Sequence, residues 1–154
     1  MGSGDIGAIV AIKHAYFRHL DSKEFDRLGQ LLSEGCVAAY PDAPGPLQGR
    51  AAIVEFLAGA LGAGGIVTVH HGHHPEIELT GSGEARGTWY LQDRVIVAAH
   101  DLEISGAAFY HDRYRKVDGR WLIAATGYER LFVERRTHSS GALLAFTSRF
   151  SGEP

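Results

Sequence analysis

Long stretches of strand-type sequence dominate the second half of the chain. Residues 66–79, 84–99, 100–117 and 120–135 are rich in β-branched and aromatic side chains, and short turn sequences such as Asp118-Gly119 separate them. Turns of this kind join neighbouring antiparallel strands. The pattern therefore predicts a meander of long antiparallel strands, which needs a cover for its apolar face.

Helical periodicity occupies the first half of the chain. Apolar residues recur at helical spacing in residues 5–20, and again in residues 49–61. Asp21 followed three residues later by a glutamate is an N-terminal capping pattern, which predicts a second helix over residues 22–32. A short strand is predicted at residues 36–40. Helices followed by strands favour an α+β domain with the helices on one face of the sheet.

The domain organisation follows from length and from the composition of the tail. A chain of 154 residues fits one domain, and we place it at residues 1–136. Residues 137–154 form a Ser/Gly-rich tail with an apolar patch of Leu143, Leu144, Phe146 and Phe150. We expect this patch to pack on the domain or on a neighbouring subunit, because a solvated tail would not need it.

Composition and charge exclude several classes of protein. The formal net charge of −3 argues against nucleic-acid binding, and no apolar run approaches the roughly 18 residues of a membrane span. The N-terminus lacks a signal-peptide core, and the single cysteine, Cys36, cannot form an intrachain disulfide. We therefore expect a cytoplasmic protein. Without a glycine-rich nucleotide motif or a Gly-x-Ser-x-Gly elbow, we also expect chemistry that needs no cofactor.

Asp93 is an unusual residue for its position. Alternation along residues 86–97 places it on the same face as Trp89, Leu91 and Val95, which is the apolar face. A carboxylate there costs several kcal/mol unless it is paired. Two interpretations stay open: a structural pair with an arginine or tyrosine of a neighbouring strand, or a role in a pocket.

Four histidines lie within five positions, at His70, His71, His73 and His74. A neutral imidazole can accept a proton at cellular pH, which favours acid–base catalysis. A metal site is disfavoured, because His71 and His73 share one strand face but a third ligand would have to come from elsewhere, with Asp93 or His111 as the convenient candidates, and no cysteine cluster supplies it. The third interpretation is a set of exposed histidines at a strand end.

Three further candidate catalytic residues lie in the first half of the chain. Tyr16 and Asp21 close the first helix, and Tyr40 ends the short strand before a proline-rich loop. The alternative for Asp21 is a helix cap, and for the two tyrosines it is core packing.

Several motifs together resemble one family. Gly-Arg-x-x-Ile at 49–53, Val-His-His-Gly-His-x-Pro-Glu-Ile at 69–77, and Tyr-x-Asp-x-Tyr-x-Lys-x-Asp-Gly-x-Trp at 110–121 are similar to SnoaL-like members of the nuclear transport factor 2-like superfamily. The resemblance covers roughly residues 5–136. It implies a cone-like, curved antiparallel sheet with three N-terminal helices enclosing a pocket, a cystatin-like α+β barrel.

Within that superfamily, the chain most resembles the dehydratase branch of scytalone dehydratase and bile-acid 7α-dehydratase. The resemblance implies catalytic roles for Tyr16, Asp21, Tyr40, His70 and Asp93. Simple alternation instead selects His71 for the apolar face. Because strand register is ambiguous in a curved sheet, alternation cannot decide between the two, and we favour His70 on the resemblance. Candidate substrate-binding residues are His71, Trp89, His111 and Arg130.

The expected activity is a cofactor-independent lyase. A histidine base would remove a proton from a mostly apolar hydroxy-carbonyl, steroid-like or polyketide-like molecule, with help from a tyrosine and an aspartate. Polyketide cyclase or ketosteroid-type isomerase activity is an alternative, as is a non-catalytic binding protein of the same fold. We expect no metal, no nucleic-acid or membrane partner, and a homo-oligomer, with a trimer favoured over a dimer.

Overall fold

The computed structural model describes residues 2–150. Three helices lie in the first half of the chain: α1 (Gly2–Asp21), α2 (Phe25–Gly29) and α3 (Arg50–Leu61). None of these helices is both long and apolar enough to cross a membrane. The strands are β1 (Leu32–Ala39), β2 (Leu47–Gln48), β3 (Ile66–Gly81), β4 (Glu84–Val97), β5 (Leu102–Val117), β6 (Arg120–Thr137) and β7 (Leu143–Ser148).

The strands form one curved sheet in the order β2-β1-β6-β5-β4-β3, and β7 pairs with β6 outside this path. The predicted meander is confirmed for β3 to β6, which are antiparallel and joined in sequence. One detail was wrong: β1 runs parallel to β6, so the sheet is mixed. The helices pack on this open, curved sheet, which confirms the predicted α+β cone.

Helix α1 covers the concave face of the sheet. Its buried residues recur at helical spacing and form one face of the helix, namely Ile9, Lys13, Tyr16, Phe17 and Leu20. That face packs mainly against β3. Gly72 of β3 makes the contact possible, because a Cβ atom at this position would collide with the Phe17 ring. The glycine inside the histidine motif is thus explained by helix packing.

The link between α1 and α2 differs from the prediction. Helix α2 spans only Phe25–Gly29, and its N-cap residue is Glu24, whose side chain makes no capping hydrogen bond. Asp21 is instead the last residue of α1. Lys23 has a positive φ of 58°, so the chain turns away from the helix before α2 starts. The predicted helix over residues 22–32 with Asp21 as its cap was therefore wrong, and the Asp21 carboxylate is free to bind another partner.

The tail adds a strand to the sheet. Strand β7 pairs antiparallel with β6, for example Glu134 with Phe146. Four large apolar side chains of the tail remain more than half exposed, namely Leu143, Leu144, Phe146 and Phe150. Backbone pairing therefore attaches the tail to its own domain, and Phe146 stacks on Phe132 of β6 although it stays half-exposed. Residues 151–154 of the predicted tail lie outside the described residues.

A buried ion pair lies beneath α1. Lys13 Nζ is 2.8 Å from Asp112 Oδ2 of β5, and both side chains are fully buried. The Lys13 ammonium also lies over the Tyr110 ring, 3.5 Å from its centroid. Tyr114 and Thr126 donate hydrogen bonds to the Asp112 carboxylate. Burial lowers the pKa of Lys13, and the nearby Asp112 opposes that shift.

We predict that Lys13→Met destabilises the protein strongly. It would leave the Asp112 carboxylate buried without its cation, which typically costs about 3–5 kcal/mol. Lys116→Met is the control, because Lys116 pairs with Asp5 at the surface, where such a pair contributes at most about 1 kcal/mol. The measurement is urea unfolding followed by circular dichroism. Equal losses in free energy of unfolding for the two variants would contradict the structural role given to Lys13.

Candidate active site

A cavity of about 330 Å³ opens between α3, the loop after β1 and the concave face of β3 to β6. Its polar lining consists of Tyr40, Asp42, His70, Asp93, Tyr110, Tyr128, Arg130 and Arg135. Its apolar lining includes Leu57, Leu61, Ile66, Val95, Val97, Ile104 and Val133. A mostly apolar cavity with a few convergent polar groups is the usual form of a small-molecule site.

Asp21 and His70 form a hydrogen-bonded pair at the wall of this cavity. Asp21 Oδ1 lies 2.7 Å from His70 Nδ1, and Asp21 Oδ2 accepts a hydrogen bond of 2.8 Å from the His70 backbone N–H. Thr68 Oγ1 donates to Asp21 Oδ1 at 2.7 Å. One carboxylate at the end of α1 therefore holds both the backbone and the ring of His70.

This arrangement sets the protonation pattern of the imidazole. A carboxylate only accepts hydrogen bonds, so Nδ1 carries the proton and Nε2 of the neutral ring keeps its lone pair. The Phe17 ring stacks parallel to the His70 ring, with centroids 6.3 Å apart. His70 lines the cavity, and its side chain is only 9% exposed. The ring is thus fixed in orientation and largely shielded from water.

Tyr16 and Tyr40 form a second polar pair. Their hydroxyl oxygens are 2.6 Å apart, and both side chains are buried. Burial raises the pKa of each hydroxyl well above the usual range of tyrosine, so both stay protonated at neutral pH. Tyr40 lines the cavity, whereas Tyr16 lies behind it against Phe17 and Tyr110. Tyr40 is therefore the hydroxyl that a bound molecule can meet, and Tyr16 holds it in place.

Asp93 combines the two interpretations that the sequence left open. It lines the cavity and is also paired with Arg130 through two hydrogen bonds of 2.5 and 2.8 Å. Burial acts to lower the pKa of Arg130, but the bonds to Asp93 outweigh it and raise this pKa. The two residues form a neutral unit in the cavity wall. Arg130 also lies over the Tyr128 ring, 4.9 Å from its centroid.

Three predicted substrate-binding residues lie elsewhere. His71 is exposed on the opposite side of β3 from His70. Trp89 is completely buried, and its Nε1–H donates to the Tyr114 hydroxyl at 3.0 Å. His111 is exposed and lies 2.9 Å from Glu129. Of the four predicted substrate-binding residues, only Arg130 belongs to the lining of this cavity.

The sequence missed other residues of the site. Thr68 shares a face of β3 with His70 and orients Asp21, which alternation could have suggested. Tyr128 precedes Arg130 on the same face of β6, and burial raises its pKa to about 12. Its hydroxyl donates to Asp42 at 3.3 Å. Asp42 lies in the proline-rich loop, where periodicity gives no signal.

The remaining histidines of the motif lie next to one another on β3. His71 and His73 are neighbours, with ring centroids 5.8 Å apart. Within residues 2–150, no group of three or more histidine, cysteine, aspartate or glutamate side chains is arranged to hold a metal ion. These histidines lie on the exposed face of β3, away from the cavity.

Fold and site together define an α+β cone domain with a hydrogen-bonded Asp21–His70 pair at the wall of a cavity. A family model described as the SnoaL-like domain matches residues 3–126, and the chain belongs to this family.

Solved structures share the fold. A candidate scytalone dehydratase from Novosphingobium aromaticivorans is 20% identical, with a TM-score of 0.77 and coverage of 97% of this chain and 95% of that one. A hexachlorocyclohexane dehydrochlorinase from Novosphingobium barchaimii is 14% identical, with a TM-score of 0.74 and coverage of 98% and 94%. ActVI-ORFA from Streptomyces coelicolor is 16% identical, with a TM-score of 0.71 and coverage of 83% and 98%.

We predict that neutral His70 carries its proton on Nδ1. The Asp21 carboxylate requires a donor at that nitrogen, so nitrogen-15 NMR of the histidine rings should show Nε2 unprotonated at neutral pH. Asp21→Asn should shift the ring toward a mixture of tautomers, because an amide can accept or donate. His71 is the internal control and should not change. A predominant Nε2–H form in the unaltered protein would contradict the geometry.

Proposed function

We propose that the protein is a cofactor-independent lyase that eliminates water from a small, mostly apolar hydroxy-carbonyl compound. The observation that carries this proposal is the Asp21–His70 pair at the wall of an apolar cavity. An imidazole oriented by a carboxylate and facing a cavity is a suitable general base. The family match and the structural neighbours support an enzyme that processes small molecules.

The reaction begins with proton removal. His70 Nε2 takes a proton from the carbon next to the substrate carbonyl, and the electron pair of the C–H bond moves toward the carbonyl oxygen. Tyr40 donates a hydrogen bond to the oxyanion that develops there. Asp21 stabilises the imidazolium that forms. His70 and Tyr40 line one partly enclosed cavity, where water competes less with these interactions.

The reaction ends with departure of the hydroxyl group. The electron pair returns from the oxyanion to form the new C=C bond, and the C–O bond to the hydroxyl breaks. The imidazolium of His70 gives its proton to the departing oxygen, which leaves as water. His70 is then neutral again, so the atoms and charges balance without a cofactor. Asp93 is paired with His70 across β3 and β4. The Asp93–Arg130 pair therefore supplies a fixed dipole in the cavity wall beside His70.

Related chemistries use the same first step. An isomerase would return the proton to a different carbon, and a cyclase would let the carbanion attack a second carbonyl. Neither reaction loses water in that step, so the mass of the first product separates these alternatives from elimination. A binding protein without catalysis would leave the substrate unchanged.

We predict that His70→Ala lowers turnover by about 10²–10⁴-fold, the usual contribution of a general base. Candidate substrates are β-hydroxy ketones of one or two rings, and products are analysed by mass spectrometry. His71→Ala is a matched control, because this neighbouring histidine is exposed on the other face of β3. Tyr40→Phe should lower kcat more than it raises KM, since its hydrogen bond strengthens as the oxyanion forms. Full activity of the His70→Ala variant would exclude the proposal.

We further propose that the exposed face of the sheet mediates self-association as a trimer. Val67, Val69 and Tyr90 lie on this face with exposed fractions of 55%, 41% and 47%. Apolar side chains grouped on one face are typical of a protein–protein interface.

The prediction is a light-scattering mass three times that of the chain at micromolar concentration. Val69→Glu should lower this mass, because a charge would be buried at the interface. Glu76→Gln is the control, because Glu76 lies seven residues further along β3 than Val69, and this variant should keep the mass of the unaltered protein. A single-chain mass for the unaltered protein would exclude self-association.

A further inference from the structure

Two guanidinium groups line the cavity, and only one of them is neutralised. Arg130 forms two hydrogen bonds with Asp93. Arg135 lies on the same strand and also lines the cavity. Among residues 2–150, no carboxylate lies within ion-pair distance of Arg135, whereas its neighbour Arg136 pairs with Glu134 at 3.0 Å. The free positive charge of the cavity therefore belongs to Arg135.

The surroundings of Arg135 are apolar. It pairs across the sheet with Ile104 of β5, and Ile104 pairs with Val95 of β4. Both of these side chains line the same cavity. An arginine in such surroundings can extend its charged end toward water. It also offers a fork of N–H donors that matches an anionic oxygen group.

Arg135 lies across the cavity from the acid–base pair. His70 is on β3 and Arg135 is on β6, so β4 and β5 separate them. Adjacent strands are about 4.8 Å apart, and the curvature of the sheet turns both side chains toward one space. A molecule that contacts both must present an anion at one end and its reacting carbon at the other, with an apolar body between them.

We propose that Arg135 determines specificity by binding an anionic group of the substrate, which is thus an amphiphilic acid rather than a neutral steroid. This inference rests on the proposed function for the position of the reacting carbon. The anion is remote from His70, so it positions the substrate and does not activate the C–H bond. Packing at a density of about 0.74 in the cavity leaves room for roughly 15 non-hydrogen atoms, which corresponds to one or two rings.

The experiment compares two aromatic probes of equal size. 2-Naphthoate carries a carboxylate, and methyl 2-naphthyl ketone replaces it with a neutral acetyl group. Binding of each probe is measured by calorimetry at low salt and again at high salt. We expect naphthoate to bind about tenfold more tightly than the ketone, as for one charge-assisted contact in a partly buried site. Added salt should weaken the binding of naphthoate only.

Three variants locate the effect. Arg135→Gln should abolish the preference for naphthoate and leave ketone binding unchanged, while Arg135→Lys should keep part of the preference. Arg136→Gln is the matched control, because its side chain pairs with Glu134 away from the cavity. Equal affinities of the unaltered protein for both probes, or an Arg135→Gln variant that still prefers naphthoate, would overturn the inference.

A third probe distinguishes between two kinds of anionic group. 2-Naphthalenesulfonate tests whether Arg135 accepts any anion or favours the planar carboxylate. The inference is supported if the preference for an anionic probe over the ketone, whichever anion it is, is lost in Arg135→Gln. Because binding requires no turnover, the comparison is repeated in His70→Ala. Equal affinities of the unaltered protein for the charged and neutral probes, with elimination intact, would refute only the substrate class. Anion binding that depends on Arg135, without elimination in any product assay, would refute only the proposed reaction.

Discussion

The carboxylate of Asp21 connects the helical layer to the edge of the sheet. It accepts hydrogen bonds from Thr68, from the His70 backbone and from the His70 ring. Strand β3 is the last strand of the sheet, so its backbone on that side would otherwise depend on water. The same three bonds that fasten this edge also orient the imidazole. Asp21 therefore both fastens this edge of the sheet and orients the ring that we propose as the general base.

Much of the fold could be predicted because its signals are local. The limits of β3 to β6 agree with turn sequences and with alternation, and α1 and α3 agree with helical periodicity. The parallel pairing of β1 with β6 could not be predicted, since it joins segments about 90 residues apart and depends on packing of the whole sheet. Helix α2 was overextended because a capping pattern does not show whether the carboxylate has a stronger partner elsewhere.

The candidate site was predictable to a different degree at each position. The resemblance indicated His70, and the structure places it at the cavity, while alternation alone selected His71 because both faces of β3 carry apolar residues. Trp89 lies on the inner face as alternation predicted, but it is fully buried and does not belong to the cavity lining. Arg130 and Asp93 pair across β4, β5 and β6, a distance at which sequence spacing carries no information. The catalytic roles of these residues remain predictions.

The chemistry of the cavity depends on which polar groups can still form a hydrogen bond or accept a proton from a bound molecule. Asp21 already accepts three hydrogen bonds, and Asp93 is bound by both arms of Arg130. Neither of these two carboxylates is therefore available as a strong base, which agrees with the role that we propose for Nε2 of His70. Tyr40 stays protonated and shares its hydroxyl with Tyr16. A substrate that satisfies both His70 and Arg135 must be polar at two ends and apolar between them, and this pattern restricts the substrate more tightly than the fold does.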